Sequence, residues 1–512
     1  MRNIPVCLFA VILLLSSCNK ISVPADDQGP ESLKTRQEID AYIKDQLFST
    51  GSFWWKDAPD NIVWSALQQS DKIMSIGYKP SGMLHVEDML DQIDIHSPSW
   101  TNAKAAVLNI IFTEERKLRS DITPESLEVF PENVLPVINV RVENYATLVK
   151  LRNSPLVRYA EPMGYEPAYA AQVNNAVQSS SGCGSNVSST GLISGVDYTN
   201  ILPNASSSWN YPFHKIATAW TRATGSGIKV FIIDTGLSPD QDNLNGNFNQ
   251  GYSSGRSVEK IVTLPQTTFL GIPTGSPETP ADGCGHGTAM AGACAAPRCT
   301  DGNSVGIAYN CNLVTCRAAA DVYLDESREI KGVSDAYINA ANRSDVRIIS
   351  MSMGKLTSSS QISDAIKYAA KKNKLMFCAG GTSFDWTAGW AGVIFPASMP
   401  EVNAVTGIKD NLTTRCDACH MGSEIDFVVV MEKASTLRNP LTLPMTGDLP
   451  STVGGSSVAT ASTAGMAALV WSKYPSWSTT QVLNRLIASS SYYPNRNSNF
   501  GWGVIDADKA TK

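Results

Sequence analysis

Hydrophobic positions follow two regimes along the chain. In the N-terminal third they come in short runs. Val137-Ile138-Asn139-Val140-Arg141-Val142 predicts a strand, Asn144 opens a short helix over Tyr145 to Leu151, and Pro155 to Pro162 predicts a second strand. Ser32 is placed to cap a helix through Gln46, and Ala105 to Phe112 is an apolar, strand-like run. Strand, helix and strand in so few residues predict a small α+β domain. From Lys229 onward the runs become continuous: Lys229 to Asp234, Leu313 to Ala318, Val346 to Met353 and Leu375 to Ala379. Continuous apolar runs suit parallel strands buried on both faces. Helical stretches such as Ser363 to Lys372 lie between them, so the expected fold class is α/β, a central parallel sheet covered by helices on both faces. Between the two regimes, residues 166–207 are rich in Ser, Asn, Gln and Gly, which is linker composition.

Composition adds exclusions. The 512 residues are 43% hydrophobic and 17% charged, with a net charge of −6 and no long basic run, so nucleic acid and anionic membrane surfaces are poor partners. The N-terminus has targeting character: Arg2 precedes a short apolar run, Leu8 to Leu15, too short to span a bilayer. Leu15-Ser16-Ser17-Cys18 resembles the lipobox of bacterial lipoproteins, in which the cysteine is lipidated; a plain secretory signal is the alternative. Residues 1–18 are thus expected to be a signal peptide. The location that follows is the bacterial cell envelope, lipid-anchored at the outer membrane or cell surface, or else secretion.

Eleven cysteines suit an exported protein. Setting aside Cys7 and Cys18 leaves an odd number, and Cys378, inside an apolar run, is the candidate free thiol. Local pairs such as Cys294 with Cys299 are open, and connectivity is not readable from sequence. Cys284, His286, Cys416, Cys419 and His420 are zinc-type ligands and form a rival reading for part of this set.

The candidate chemistry sits in three motifs. Asp234 ends a buried strand before Thr235-Gly236, where an acid needs partners. His286 has glycine on both sides and opens a run of small residues. Gly454-Gly455-Ser456-Ser457 leads into an Ala-rich helix whose free N–H groups suit a developing oxyanion, with either serine as nucleophile or as a plain helix cap. Acid, base and serine in the order Asp, His, Ser form a set able to carry nucleophilic catalysis.

These motifs make residues 208–512 resemble the subtilisin-like serine proteases. Ile228 to Gly236, His286-Gly287-Thr288 with Ala291-Gly292, and Gly455-Ser456-Ser457-Val458-Ala459 are similar to the family's Asp, His and Ser motifs. Ile349 to Gly354, Phe395 to Val402 and Gly501 to Ala507 extend the likeness. The resemblance implies a subtilisin-like fold and a serine endopeptidase, with Ser457 as nucleophile, His286 as base and Asp234 as its orienter. It implies that Ser352, Met353, Gly354, Gly380, Gly381 and Thr382 bind substrate or the oxyanion. It also implies that residues 19–165 include a propeptide domain, cut off between 163 and 205, making the chain a self-processed zymogen. The partners are then a protein or peptide substrate and the chain's own propeptide, with the membrane met only through the lipid. No cofactor is implied for the chemistry; structural calcium is common in the family but no loop here can be assigned to it.

One departure stands out. Gly381 lies where the family has the Asn that donates to the oxyanion, with Thr382 one residue on. Loss of one such donor costs about 10²–10³ in turnover. Restoring Asn at 381 is therefore expected to raise turnover. The rival classes are a weak or inactive subtilase-fold surface binding lipoprotein and a maturation enzyme that cuts only itself or one dedicated partner. Lys355, beside Met353 and Gly354, would suit acidic side chains.

Overall fold

The computed structural model describes residues 32–168, 186–269, 272–381 and 392–512. Cys18, Thr382 and residues 169–185 of the expected cleavage region lie outside the described residues.

The N-terminal region begins with helix α1, Arg36–Thr50. Its cap is Thr35 and not Ser32, because Thr35 and Glu38 form a reciprocal capping box. Helix α2, Asp60–Gln68, leads into strand β1, Ile73–Tyr78. Helix α3, Pro98–Glu115, contains the Ala105 to Phe112 run expected as strand-like; its buried Trp100, Ala103, Val107 and Ile111 recur at helical spacing. Strands β2, Glu128–Phe130, and β3, Val137–Arg141, precede helix α4, Tyr145–Arg152, capped by Asn144. Strand β4, Val157–Pro162, completes an antiparallel sheet of order β2-β3-β1-β4. The expected α+β unit is present.

Within the stretch expected to be a linker, some described residues are anchored and others, such as Val187, Ile193, Val196 and Leu202, are exposed. Asn186 is buried, and β5, Tyr198–Ile201, pairs with β6, Ala205–Ser208. Asp197, also buried, meets Arg438 at 2.7 Å. The buried polar side chains here, Asn186 and Asp197, are held by specific partners.

The rest of the chain builds a seven-stranded parallel sheet. Its strands are β7, Lys229–Asp234; β8, Val258–Val262; β9, Asn312–Arg317; β10, Ile348–Met351; β11, Leu375–Ala379; β12, Asn403–Lys409; and β13, Ile425–Glu432. The order is β13-β12-β11-β10-β7-β9-β8. Side chains alternate between the two faces. Val230 and Ile232 pack with α5, His286–Ala295, and α8, Gly455–Lys473. Phe231 and Ile233 pack toward α6, Ser327–Asn342, and α7, Ser360–Lys371. The hydrophobic cluster on that second face runs on without a break into the N-terminal region, from Met351 and Ile366 to Ile76 and Ile39.

Polar contacts stitch the same interface. Gln361 of α7 accepts from Ser75 at 2.8 Å and from Asn139 at 2.7 Å. Arg158 pairs with Asp364 at 2.6 Å, with both side chains buried. Glu161 accepts from the Ser360 backbone N–H at 2.6 Å and from its hydroxyl at 2.9 Å, closing the start of α7. Burial nonetheless pushes the Glu161 carboxyl up to about 7.

Cys416 and Cys419 form a disulfide, and Cys284 is also disulfide-bonded. Cys294, Cys299, Cys311, Cys316 and Cys378 are buried free thiols. Cys294 and Cys299 are therefore not paired; the sulfur of Cys294 lies against Cys311 instead. Cys378 is free, as expected. No group of three or more metal-type side chains gathers among the described residues, and the bonded Cys416 and Cys419 are not free to serve as zinc ligands. No helix among them is long and apolar enough to cross a membrane.

Candidate active site

The chain turns back on itself at β7. From there β8 and β9 build one side of the sheet and β10 to β13 the other. In open parallel sheets the crevice at such a switch point, beyond the carboxyl ends of the strands, is where ligands bind. Asp234 is the last residue of β7, and Ser352 follows β10. Met351 is paired with Ile233, so the next step on each strand sets Ser352 level with Asp234.

Each neighbouring position holds one further candidate. Asp234 Oδ1 lies 2.7 Å from His286 Nδ1, the first residue of α5. Ser352 Oγ donates to the Ser457 carbonyl at 3.0 Å, and Ser457 Oγ donates back to the Ser352 carbonyl at 3.4 Å. The switch point thus collects acid, imidazole and serine from three distant stretches. Asp234 and His286 are about 1% and 0% exposed and Ser457 is 8% exposed.

The imidazole is set as a base. The Nδ1 hydrogen donates to Asp234, which leaves Nε2 as the acceptor, and Nε2 is buried with no hydrogen-bond partner among the described residues. Burial opposes a charge on His286, but the Asp234 carboxylate outweighs it and holds the pKa above the ordinary 6.5. The other two histidines of this half differ. His214 bonds to the Ile505 carbonyl through Nδ1 and receives the Val430 N–H at Nε2, a fully used structural imidazole that burial keeps neutral. No hydrogen bond joins Ser457 to His286; the hydroxyl points at Ser352, and bonds of this kind are often loose without substrate.

The surroundings lock this arrangement. Gly287 is required by close approach, since a Cβ there would lie 2.3 Å from the Gly236 carbonyl oxygen. Thr235 Oγ1 receives the Gly287 N–H at 2.9 Å and donates to Asp282 at 2.9 Å. Asp282 in turn takes the N–H groups of Cys284, Gly285 and Thr288 at 3.0, 2.7 and 2.8 Å. Sequence reading passed over Asp282; its signal was an acid placed just before a helix start. It also passed over Asn186, which donates to the Gly285 carbonyl at 2.8 Å.

Ser457 is the third residue of α8, in the first turn, where backbone N–H groups lack helical acceptors. The dipole of that helix favours negative charge at the same end. The facing segment departs from expectation. Gly380 is committed on both sides, donating to Val405 at 2.8 Å and accepting from Ile394 at 3.1 Å. Gly381 has φ +122°, and a Cβ there would lie 2.5 Å from His420 Nδ1. The His420 ring fills the space that an Asn side chain would need. Its Nδ1 bonds to the Gly392 carbonyl at 2.9 Å, and burial lowers its pKa to about 4. This geometry opposes the expectation that Asn at 381 raises turnover, since any side chain there meets the His420 ring.

Of the remaining expected residues, Met353 is buried in the core. Gly354 donates to Val322 at 3.1 Å and accepts from Leu324 at 3.1 Å. Lys355 is buried and ion-paired with Glu166.

The Peptidase_S8 subtilase family profile matches residues 225–503, more than half of the chain. M-protease from Shouchella clausii (strain KSM-K16) is 29% identical over 290 residues, covering 56% of this chain and 65% of the relative. This chain thus spans less than two thirds of that protein. Subtilisin BL from Lederbergia lenta is 29% identical over 290 residues, 56% of this chain and 92% of the relative. Alkaline elastase YaB from Bacillus sp. (strain YaB) is 31% identical over 289 residues, 56% of this chain and 66% of the relative. The crystal structure of MycP1 from Mycobacterium smegmatis aligns with a TM-score of 0.45 at 21% identity, over 62% of this chain and 88% of that one.

Proposed function

This chain belongs to the subtilase family, and from that premise we propose that it is a serine endopeptidase acting through Asp234, His286 and Ser457. The observation that carries the reading is the 2.7 Å Asp234–His286 pair, which leaves His286 Nε2 open, together with Ser457 at the start of α8, held by Ser352 beyond the end of β10. Asp234 fixes the tautomer. Rotation of the Ser457 side chain away from Ser352 brings Oγ to Nε2, which takes the hydroxyl proton as Oγ attacks a peptide carbonyl. The oxyanion forms facing the Ser457 N–H at the start of α8. His286 passes the proton to the leaving amine, and water then hydrolyses the acyl-enzyme by the same route.

The N-terminal region is proposed to be a propeptide that docks on α6 and α7 and is cut off by the chain's own activity. Its shared apolar cluster and buried ion pair with the catalytic part support this reading. Anchoring through a lipidated Cys18 is proposed on the lipobox alone. Gly381, with His420 in place of a side-chain donor, supports a slower enzyme and keeps a non-catalytic surface binding protein as the second reading.

Intact-mass analysis of protein lacking residues 1–18, as wild type and as Ser457→Ala, tests the proposal. Self-cleavage of the wild type alone, with fluorophosphonate labelling of Ser457, is expected. Two intact, folded and unlabelled proteins would sink it.

A further inference from the structure

Lys355 is about 1% exposed, and a buried ammonium is costly without a partner. Its partner is Glu166, just past the end of the N-terminal region and taken to leave with it by a cut beyond residue 166: Glu166 Oε1 lies 3.2 Å from Nζ. Glu166 is itself about 3% exposed. The Tyr323 hydroxyl donates to its Oε2 at 2.7 Å, as does the Leu356 N–H at 3.2 Å. The Thr357 N–H donates to Oε1 at 3.3 Å, and the Thr357 hydroxyl donates to the same atom. All five donors belong to the catalytic part of the chain. Glu166 contributes only the carboxylate they surround.

The position of this pocket matters. Ser352, whose carbonyl receives the Ser457 hydroxyl, lies three residues before Lys355. The chain between them is extended, with Gly354 bridged to Tyr323 and Lys355 to Phe395. At about 3.3 Å per residue the pocket lies roughly 10 Å along from Ser352, within reach of an extended peptide bound at the nucleophile. We propose that Lys355, Tyr323 and Thr357, with the N–H groups of Leu356 and Thr357, form a substrate subsite for a glutamate side chain, which Glu166 fills until the N-terminal region leaves. The proposal rests on the endopeptidase reading above. A glutamine or leucine in the pocket leaves the ammonium unpaired, and aspartate is one methylene too short to reach every donor.

The test uses the self-processed enzyme and peptides carrying Glu, Gln or Leu at each of four positions on the acyl side of the cut. At one position Glu is expected to exceed Gln by about tenfold or more in kcat/KM, as for a charge-assisted set of hydrogen bonds. In Lys355→Met that ratio falls to about one. In parallel, glutarate is titrated into full-length Glu166→Ala in a Ser457→Ala background by calorimetry; binding is expected, and is lost when Lys355→Met is added. Labelled, cleaving enzyme without a Glu preference overturns the subsite and leaves the protease reading standing. Glutarate binding without a peptide preference also overturns it, since the pocket is then only an anchor for Glu166. Absence of both labelling and cleavage fails the protease reading instead, and absence of glutarate binding then overturns the carboxylate pocket as well.

Discussion

Replacement of Gly381 by Asn opposes two forces whose magnitudes differ. A carboxamide donor aimed at the oxyanion is worth about 10²–10³ in turnover where the site accepts it. Here the new Cβ would lie 2.5 Å from His420 Nδ1 and 3.0 Å from Cγ. The ring has little room to retreat. Its Nδ1 is held by the Gly392 carbonyl at 2.9 Å, its backbone N–H by the Gly381 carbonyl at 3.0 Å, and the Cys416–Cys419 bridge precedes it. Overpacking of this kind costs about 1–3 kcal/mol. A side chain at φ +122° adds about 1–3 kcal/mol of backbone strain. The sum, roughly 2–6 kcal/mol, is a large share of a typical folding free energy of about 5–15 kcal/mol. Urea melts of full-length protein in a Ser457→Ala background measure it without self-cleavage. Gly381→Asn and Gly381→Ala should both lose stability, and adding His420→Gly should restore the steric part, about 1–3 kcal/mol, but not the strain. Turnover of Gly381→Asn with Ser457 intact should fall. An undiminished melt together with faster turnover would refute the reasoning and restore the family-based expectation.

Other outcomes follow from the site and the interface. Because Asp234 raises the pKa of His286 and catalysis needs the neutral ring, the acid limb of kcat/KM should have its midpoint above 6.5 and move lower in Asp234→Asn; an unmoved limb would assign the titration to another group. Glu161 titrates near 7 when docked and near 4.5 when exposed, so its contribution to docking is complete below about pH 4.5 and is lost as pH rises through 7. The N-terminal region should therefore be held more tightly at acid than at alkaline pH, by up to about 3 kcal/mol, and Glu161→Gln should flatten the dependence seen in co-elution after processing. Arg158→Met strands Asp364 in the interface and should weaken docking by about 3–5 kcal/mol, read as loss of co-elution; full retention would show that Asp364 finds another partner.

The parts of this protein that were readable in sequence are those written into local backbone needs. Asp234 at the end of an apolar run, His286 between glycines and Ser457 behind Gly454-Gly455 each mark a strand end or a helix start, and the structure places all three there. The parallel sheet was readable because its strands are apolar on both faces. Contacts between remote stretches left no such pattern. Nothing in the spacing sets His420 against Gly381, or Glu166 into the pocket of Lys355, because these pairs are made by topology. The Ala105 to Phe112 run misleads for a local reason. On α3, Val107 and Ile111 face the core, while the apolar neighbours between them sit partly exposed, so helix and strand periods overlap over eight residues.

If the chain is exported as proposed, the five free thiols among the described residues bear on the order of events as it folds. Closing Cys416 to Cys419 needs only a separation of three residues, so oxidation can complete it in a chain that has not yet folded. Cys294 and Cys311 meet only when α5 docks beside the loop entering β9. Once the core has formed, burial raises Cys299, Cys316 and Cys378 to about 12, and those three hold almost no reactive thiolate. Collapse and oxidation therefore compete for the same sulfurs. The yield of correctly formed protein is a ratio of two rates, decided before the interior closes.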